Sequence, residues 1–207
     1  MLKGYESICA PASSGRGAIA IIRLSGEDCL SICERVFFPA NVNARLSEQK
    51  GYTILYGEIR SENEIIDDVL LSIFKSPHSY TGEDSVEISC HGSTYIQHKI
   101  IELLIKNGAI PAGPGEFTQR AFLNGKMDLS QAEAVADVIA SSNAAAHKLA
   151  LNQMRGGFSN EINDLRSQLL HFTAMVELEL DFAEEEVEFA DRTQLRALTE
   201  KIESLLR

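Results

Sequence analysis

The sequence contains no apolar run long enough to cross a bilayer, and its first residues lack the charged-then-apolar layout of a secretory signal. It also has no internal repeat and no low-complexity tract. Its 207 residues, 44% hydrophobic and 24% charged, suit a globular chain with one large domain or two modest ones. We therefore expect a cytoplasmic protein that does not enter a membrane.

Cysteine is scarce, and its spacing indicates no metal or redox motif. The four cysteines are Cys9, Cys29, Cys33 and Cys90, and none belongs to a C-x-x-C pair. Cys29 and Cys33 lie four residues apart in a segment of helical periodicity, so they share one helix face. Core packing is favoured for these two thiols over zinc binding or a redox pair.

Positive charge is also low, with 19 Lys and Arg against 30 Asp and Glu, a formal net charge of −11. Non-specific binding of nucleic acid needs clustered positive charge, so a broad phosphate-binding surface is not expected. A nucleic-acid substrate stays open, but this chain alone would hold it weakly. The acidic run at residues 181–191 predicts a solvated helix end or loop, with a metal or partner site as the alternative.

The usual short motifs of nucleotide and metal sites are missing. No segment matches the phosphate-binding loop G-x-x-x-x-G-K-[ST], and Gly125-Lys126 lacks the preceding strand. Gly15-Arg16-Gly17 precedes a strand instead of opening a helix, so it is not a dinucleotide fingerprint. The five histidines show no metal-ligand spacing. GTP hydrolysis by this chain itself is therefore not expected.

The chain up to about residue 118 mixes strand and helix patterns. Strand character occurs at residues 5–10, 18–24, 52–59, 66–74 and 85–90, and helical spacing of apolar residues at 26–37 and 94–107. The run at 18–24 is apolar on both alternating faces, which predicts a central strand covered on each side. The pattern indicates an α+β domain, residues 1–118, with a mixed β-sheet and packed helices.

The rest of the chain, residues 119–207, has helical periodicity. Ser130 and Glu133 form a capping-box pattern that starts a helix to about Arg155, and Ser159 can cap a second long helix. The side chains expected inside the first of these helices are Ala132, Val135, Ile139, Ala146 and Leu149. A third amphipathic segment runs to Arg207 without a cap, which suggests a longer protein. We expect an α-helical domain of long antiparallel helices.

Three charged residues stand at the ends of predicted elements: Arg23, Glu87 and Lys126. A carboxylate that faces a pocket can accept two N–H bonds from the 2-aminopyrimidinone edge of a pterin or guanine, while Arg and Lys can hold carboxylates or phosphates. The alternative is that Arg23 and Glu87 pair across the sheet and Lys126 faces solvent. Glu116 and Arg120, four residues apart on a short helix, are expected to pair with each other as structural residues.

The strand at residues 85–90 has one apolar and one polar face. Alternation places Val86, Ile88 and Cys90 on the first face and Glu87, Ser89 and His91 on the second. The polar face either meets water or lines a site. Because adjacent residues of a strand point to opposite sides, Cys90 and His91 are not expected to form a nucleophilic pair.

Three longer segments carry a resemblance to a known family. They are PGEFTQRAFLNGKMDLSQAEAVADVI at residues 114–139, SYTGEDSVEISCHG at 79–92 and GRGAIAIIRLSG at 15–26, and DF-x-EEE-V follows at Asp181. Together they resemble the MnmE (TrmE) family of tRNA-modification GTPases over the whole chain. The resemblance implies a tetrahydrofolate-binding and dimerisation domain, related to the folate domains of aminomethyltransferases, followed by the first part of a helical domain. The family's GTPase domain and C-terminal helical half are absent from this sequence.

The resemblance also implies an activity for the intact protein. With the flavin- and NADH-dependent partner MnmG (GidA), the family adds an aminomethyl-type group to carbon 5 of the wobble uridine of tRNA. A 5-formyl or 5,10-methylene tetrahydrofolate is the one-carbon cofactor, and GTP hydrolysis requires Mg²⁺ and K⁺. The implied folate-binding residues are Arg23, Glu87 and Lys126, with a further contact in the C-terminal part. The chain alone is not expected to be catalytic, and a purely structural dimerisation and partner-docking module is the alternative.

Overall fold

The structure is a computed structural model that describes residues 6–13, 17–62, 64–181 and 192–206. The chain divides into two compact units, residues 1–128 and residues 129–207. In the described part of the chain, no helix combines the length and the apolar character that a membrane span requires. Of the acidic run at residues 181–191, predicted to be a solvated helix end or loop, residues 182–191 lie outside the described residues.

The first unit is built on one seven-stranded sheet in the order β3-β4-β5-β6-β2-β1-β7. Its strands are β1 Ile8–Pro11, β2 Ile19–Ser25, β3 Phe37–Pro39, β4 Thr53–Ser61, β5 Glu64–Phe74, β6 Ser85–His91 and β7 Ile110–Pro111. Neighbouring strands are antiparallel, except for the parallel pair β1 and β7. The predicted mixed sheet is confirmed, and its five predicted strands correspond to β1, β2, β4, β5 and β6.

Two short strands were not predicted, and they change the elements around them. The predicted helix at 26–37 is only α1, Cys29–Glu34, because Phe37 is already in β3 and lies opposite Ile59 of β4. Residues 109–115, expected to be an irregular turn, contain β7. Edge pairing with an existing strand supplies hydrogen-bond partners that sequence periodicity does not reveal.

The helices α1 and α2, Thr94–Lys106, cover one face of the sheet. The side chains that β2, β5 and β6 direct to this face are almost fully buried: Ala20, Ile22, Leu24, Val69, Leu71, Ile73, Val86, Ile88 and Cys90. Helix α2 contributes Ile100, Leu103 and Leu104, as its apolar spacing predicts. After α2 the chain turns at Gly108, whose φ of 111° favours glycine. The alternating side chains therefore form one core between sheet and helices.

The opposite face of the sheet is more open than predicted. Strand β2 was expected to be covered on both sides, yet Ile19 is 69% exposed and Ile21 is only half-buried. In β4 and β5 of the same sheet, Ile54, Tyr56 and Leu70 are also exposed. The described residues place α1 and α2 on one face, while α3, Glu116–Leu123, reaches the other face only near Arg23. The expectation of a strand covered on each side is wrong within this unit.

All four cysteine thiols are buried and free, so core packing of Cys29 and Cys33 is confirmed. Burial raises the pKa of Cys9 and of Cys90 to about 11 and that of Cys29 to about 12, and it raises the pKa of Cys33 well above its ordinary value. A protonated, inaccessible thiol is a poor nucleophile. We expect Ellman's reagent at pH 8 to leave the folded chain almost unmodified and to label four thiols per chain in guanidinium. Rapid native labelling of Cys29 or Cys33 would contradict this packing.

The second unit is helical, as predicted, but its first helix is interrupted. Helix α4, Leu129–Ala140, and helix α5, Ala144–Met154, replace the single helix expected to about Arg155. The Asn143 side chain accepts a hydrogen bond from Ala146 N at 2.9 Å and so caps α5. Gln131 Nε2 donates to Met154 O at 3.1 Å, so the start of α4 lies beside the end of α5. The two helices form an antiparallel hairpin.

The helices of the second unit correct three expectations. Leu129 is already helical, so Ser130 is not the helix cap, and Ser130 Oγ lies 3.3 Å from Gln153 Nε2. The residues buried in α4 and α5 are Ala134 and Ala150. Three residues that were expected inside are exposed instead: Ile139, Ala146 and Leu149. The following helix, α6, spans Gly157–Asp181 and begins before Ser159, and α7 spans Arg192–Leu206.

Candidate ligand-binding site

Arg23 and Glu87 form an ion pair on the open face of the sheet. They are directly opposite each other in the antiparallel pair of β2 and β6. Arg23 Nε and Nη2 donate to Glu87 Oε1 at 2.9 and 2.7 Å. Both side chains are about three-quarters buried, at 23% and 24% exposed. The pairing across the sheet, one of the two expectations from the sequence, is confirmed.

Both donors of Arg23 reach the same oxygen of Glu87. Among the described residues, no protein group donates a hydrogen bond to Glu87 Oε2. A carboxylate that accepts bonds on one oxygen keeps acceptor capacity on the other. The pair therefore leaves one oriented, partly exposed acceptor on this face of the sheet.

Two aromatic rings enclose the Arg23 guanidinium. Its central carbon lies 5.0 Å from the centre of the Tyr80 ring and 5.5 Å from the centre of the Phe117 ring. Tyr80 belongs to the loop at residues 76–84 and Phe117 to α3. Tyr80 Oη and Thr118 Oγ1 are 2.8 Å apart, which joins loop and helix beside the ion pair. The rings give the site flat apolar walls and attract the cation.

Lys126 lies in the turn after α3 and reaches the loop at residues 76–84. Its Nζ donates to Pro77 O at 2.9 Å, and its aliphatic chain lies against Gly82. Gly82 has a φ of 80°, and a Cβ there would stand 3.3 Å from the Lys126 chain. In the part of the chain that the structure describes, Lys126 forms no hydrogen bond or ion pair with Arg23 or Glu87. The loop with Tyr80 is the link between Lys126 and the ion pair.

Arg120 ties the same loop to α3. Its Nη2 and Nε donate to Glu116 Oε1 at 2.9 and 3.3 Å, which confirms the predicted pair. Its Nη1 lies 3.3 Å from Glu83 Oε1, a partner the sequence did not indicate. Burial tends to raise the pKa of Glu116, but hydrogen bonds from Gly113 N and Arg120 outweigh it, so this pKa lies below its usual value.

His91 and Cys90 face opposite sides of the sheet, as strand alternation predicts. Cys90 is 3% exposed, and the His91 side chain is 69% exposed. The sequence did not indicate Asp67 on β5 as a partner of His91. The Asp67 carboxylate accepts a hydrogen bond from His91 N at 2.7 Å and lies 2.7 Å from His91 Nδ1. The described residues contain no cluster of His, Cys, Asp and Glu able to hold a metal ion. Cys90 and His91 are thus not a nucleophilic pair.

The aromatic walls were the main feature that sequence reasoning missed. Tyr80 lies in a loop without periodicity, and Phe117 is one of several apolar residues on a short helix. Their roles depend on the loop returning to α3, a contact between segments almost forty residues apart. A charged residue on an apolar strand breaks the sequence pattern and so indicates a candidate site residue, whereas an aromatic residue in a loop breaks no pattern.

The fold defines a protein with two units. The first is a mixed seven-stranded sheet whose open face carries an ion pair, with its arginine against two aromatic rings, and the second is helical. The family model described as GTP-binding protein TrmE N-terminus matches residues 7–126, and the model described as MnmE helical domain matches residues 129–207. The chain belongs to the TrmE (MnmE) family. The two matched ranges meet where the structure divides, whereas the predicted boundary at residue 118 falls inside α3.

Curated relatives agree with the family models. The tRNA modification GTPase MnmE of Bacteroides thetaiotaomicron is 62% identical over 201 residues, which are 97% of this chain and 43% of that protein. The proteins of the same name from Parabacteroides distasonis and Flavobacterium johnsoniae are 59% and 58% identical over 97% and 98% of this chain, and 44% and 43% of their own lengths. The chain therefore spans less than half the length of these relatives.

Proposed function

We propose that this chain is the N-terminal part of a tRNA-modification GTPase and that its sheet unit binds a reduced folate, 5-formyl- or 5,10-methylene-tetrahydrofolate. The observation that carries the proposal is the Arg23–Glu87 pair, which leaves Glu87 Oε2 as an acceptor next to an Arg23 guanidinium that lies against the Tyr80 and Phe117 rings. A pterin offers N–H donors on one edge of a flat ring. The chemistry of the residues present fits that group.

Each residue of the site has a separate proposed task. Glu87 accepts hydrogen bonds from the pterin edge, and the partly exposed aromatic rings shield the ligand from water. Arg23 contacts polar parts of the ligand and holds Glu87. Lys126 provides a cation for the carboxylates of the folate tail, because in the described chain it has no carboxylate partner. The folate supplies the one-carbon unit, and the protein positions it.

The family membership supports a proposed activity for the whole protein. With the flavoprotein MnmG (GidA), the intact enzyme adds an aminomethyl-type group to carbon 5 of the wobble uridine of tRNA in the cytoplasm. GTP, Mg²⁺ and K⁺ would bind in a GTPase domain beyond this sequence, since no segment here matches a phosphate-binding loop. With a net charge of −11, this chain alone would bind tRNA weakly, and the complex would supply the affinity.

The sheet unit is also proposed to form a homodimer. The exposed side chains of Ile54, Tyr56 and Leu70 support this, since Tyr56 and Leu70 are direct neighbours across β4 and β5 and make an apolar patch. A chain that only dimerises and docks the flavoprotein is the second candidate function. The same patch favours it, because such a module needs an apolar surface and no ligand.

Calorimetric titration of the chain with 5-formyltetrahydrofolate distinguishes the two functions. We expect saturable binding of one ligand per chain, measured beside the sedimentation velocity of the same sample. A folded, dimeric chain that releases no binding heat would favour the purely structural module. Because the family implies a further contact in the C-terminal part, titration of the full-length protein is the control for an incomplete site.

A further inference from the structure

Arg120 is the most buried charged side chain near the candidate site, with 4% of its side chain exposed. Its guanidinium contacts two carboxylates, those of Glu116 on α3 and Glu83 at the end of the loop at residues 76–84. Nη2 also donates to Glu6 O at 3.0 Å, just before β1. One side chain thus joins three separate segments of the sheet unit.

Glu83 extends this connection to the strand that carries Arg23. Ser25, two residues after Arg23 on β2, donates to Glu83 Oε2 at 2.9 Å, and its Oγ lies 2.7 Å from Thr81 Oγ1. Thr81 is fully buried. Asn124, after α3, donates to Thr81 O at 2.8 Å. The loop is therefore fixed from β2 on one side and from α3 on the other.

The loop and α3 are also the two elements that supply the aromatic walls, Tyr80 and Phe117. Their rings contact Arg23, and the Arg120 guanidinium forms ion pairs with Glu83 of the loop and Glu116 of α3. Without the guanidinium, Glu83 and Glu116 would be two partly buried like charges facing each other, which drives their elements apart. Separation of the loop from α3 would open the walls around the ion pair.

We propose that Arg120 is a positioning residue for the candidate ligand site. By holding Glu83 and Glu116 together, it keeps Tyr80 and Phe117 against Arg23 and so maintains the orientation of Glu87. Arginine suits this task because its planar fork binds several acceptors at fixed angles, whereas lysine presents a single charged nitrogen. The effect on affinity rests on the proposed function, and the effect on the aromatic walls does not.

The first test measures the solvent exposure of the aromatic walls in the absence of ligand. The chain contains no tryptophan, so Phe117→Trp gives one fluorescence signal beside Arg23. In this background, Arg120→Lys is expected to move the emission to longer wavelength and to increase quenching by acrylamide at a temperature where the chain is folded. Arg35→Lys is the matched control, because among the described residues the Arg35 side chain donates only to Asn107 O, at the exposed end of α2. Equal spectra for Arg120→Lys and the control would overturn the proposal.

The second test measures affinity for 5-formyltetrahydrofolate in chains that keep Phe117. We expect Arg120→Lys to weaken binding about tenfold, while Arg35→Lys leaves it unchanged. If Arg120→Lys does not fold, Glu83→Gln takes its place, because the amide still accepts from Ser25 but loses the ion pair with Arg120. A lower melting temperature with unchanged affinity and emission would show a merely structural role and overturn the proposal. If neither the parent chain nor the full-length protein binds folate, the proposed function fails and the fluorescence test alone decides the role of Arg120.

Discussion

The Glu87→Gln variant is expected to bind 5-formyltetrahydrofolate about a hundredfold more weakly than the parent chain. The change removes the negative charge of a side chain that is 24% exposed and pairs with Arg23. A hydrogen bond to a charged group contributes roughly 1.5–3 kcal/mol, and a hundredfold change in affinity corresponds to about 2.7 kcal/mol. The loss of a single charge-assisted interaction with the ligand accounts for this effect.

The geometry of the pair makes the amide a poor replacement. The amide oxygen can still accept from Arg23, but its nitrogen then takes the place of Glu87 Oε2, to which no described residue donates a hydrogen bond. That nitrogen is a donor, and it would meet the N–H donors of a pterin edge. A near-isosteric change should thus weaken binding with little effect on the fold, and calorimetry with a thermal melt of the same sample measures both.

Glu58→Gln is a matched control for this variant. Glu58 Oε2 accepts from Arg60 Nε at 2.8 Å, and the Arg60 guanidinium lies 4.8 Å from the Phe38 ring. This is a second carboxylate–arginine pair beside an aromatic ring on the same sheet, but it lies on β4 at a distance of two strands from β6. We expect unchanged folate affinity in Glu58→Gln. Equal affinity of the Glu87→Gln variant and the parent chain would remove Glu87 from the site.

The sequence predicted the ion pair better than its surroundings because the pair obeys strand alternation. Arg23 interrupts an apolar run, so its burial requires a partner, and Glu87 lies on the polar face of another strand. That both strands are neighbours in the sheet could not be read from spacing, since β2 and β6 are more than sixty residues apart. Lys126, by contrast, is a candidate from sequence only because it lies in a turn. Its contact with Pro77 depends on tertiary packing, which the sequence does not show.

The helical unit shows where periodicity misleads. The small and apolar residues from Ala132 to Leu149 fit one continuous helix, so only the cap at Asn143 reveals that the chain reverses. Once α4 and α5 pack against each other, the small residues Ala134 and Ala150 are buried, and the larger Ile139 and Leu149 are exposed. Burial in a hairpin is decided by which faces meet, and the continuous pattern contains no information about that reversal.

Gly92→Ala is expected to be the most destabilising single-methyl change in the sheet unit, at more than about 3 kcal/mol of unfolding free energy. Gly92 follows β6, and its N–H donates to Ala18 O at 3.0 Å. A Cβ at this position would stand 2.0 Å from Gly17 O. Backbone atoms cannot move aside as a flexible side chain can, so β2 and β6 would have to separate at this end.

Gly113→Ala separates this clash from the general effect of replacing glycine. A Cβ at Gly113 would meet only the Glu116 Oε2 atom, at an ordinary contact distance of 3.5 Å. Its expected effect is within about 0.5 kcal/mol, and urea unfolding followed by circular dichroism measures both variants. Because β2 and β6 carry Arg23 and Glu87, separation of these strands should also weaken folate binding in any Gly92→Ala chain that still folds. Equal unfolding midpoints for the two variants would contradict the close approach of Gly92 to Gly17.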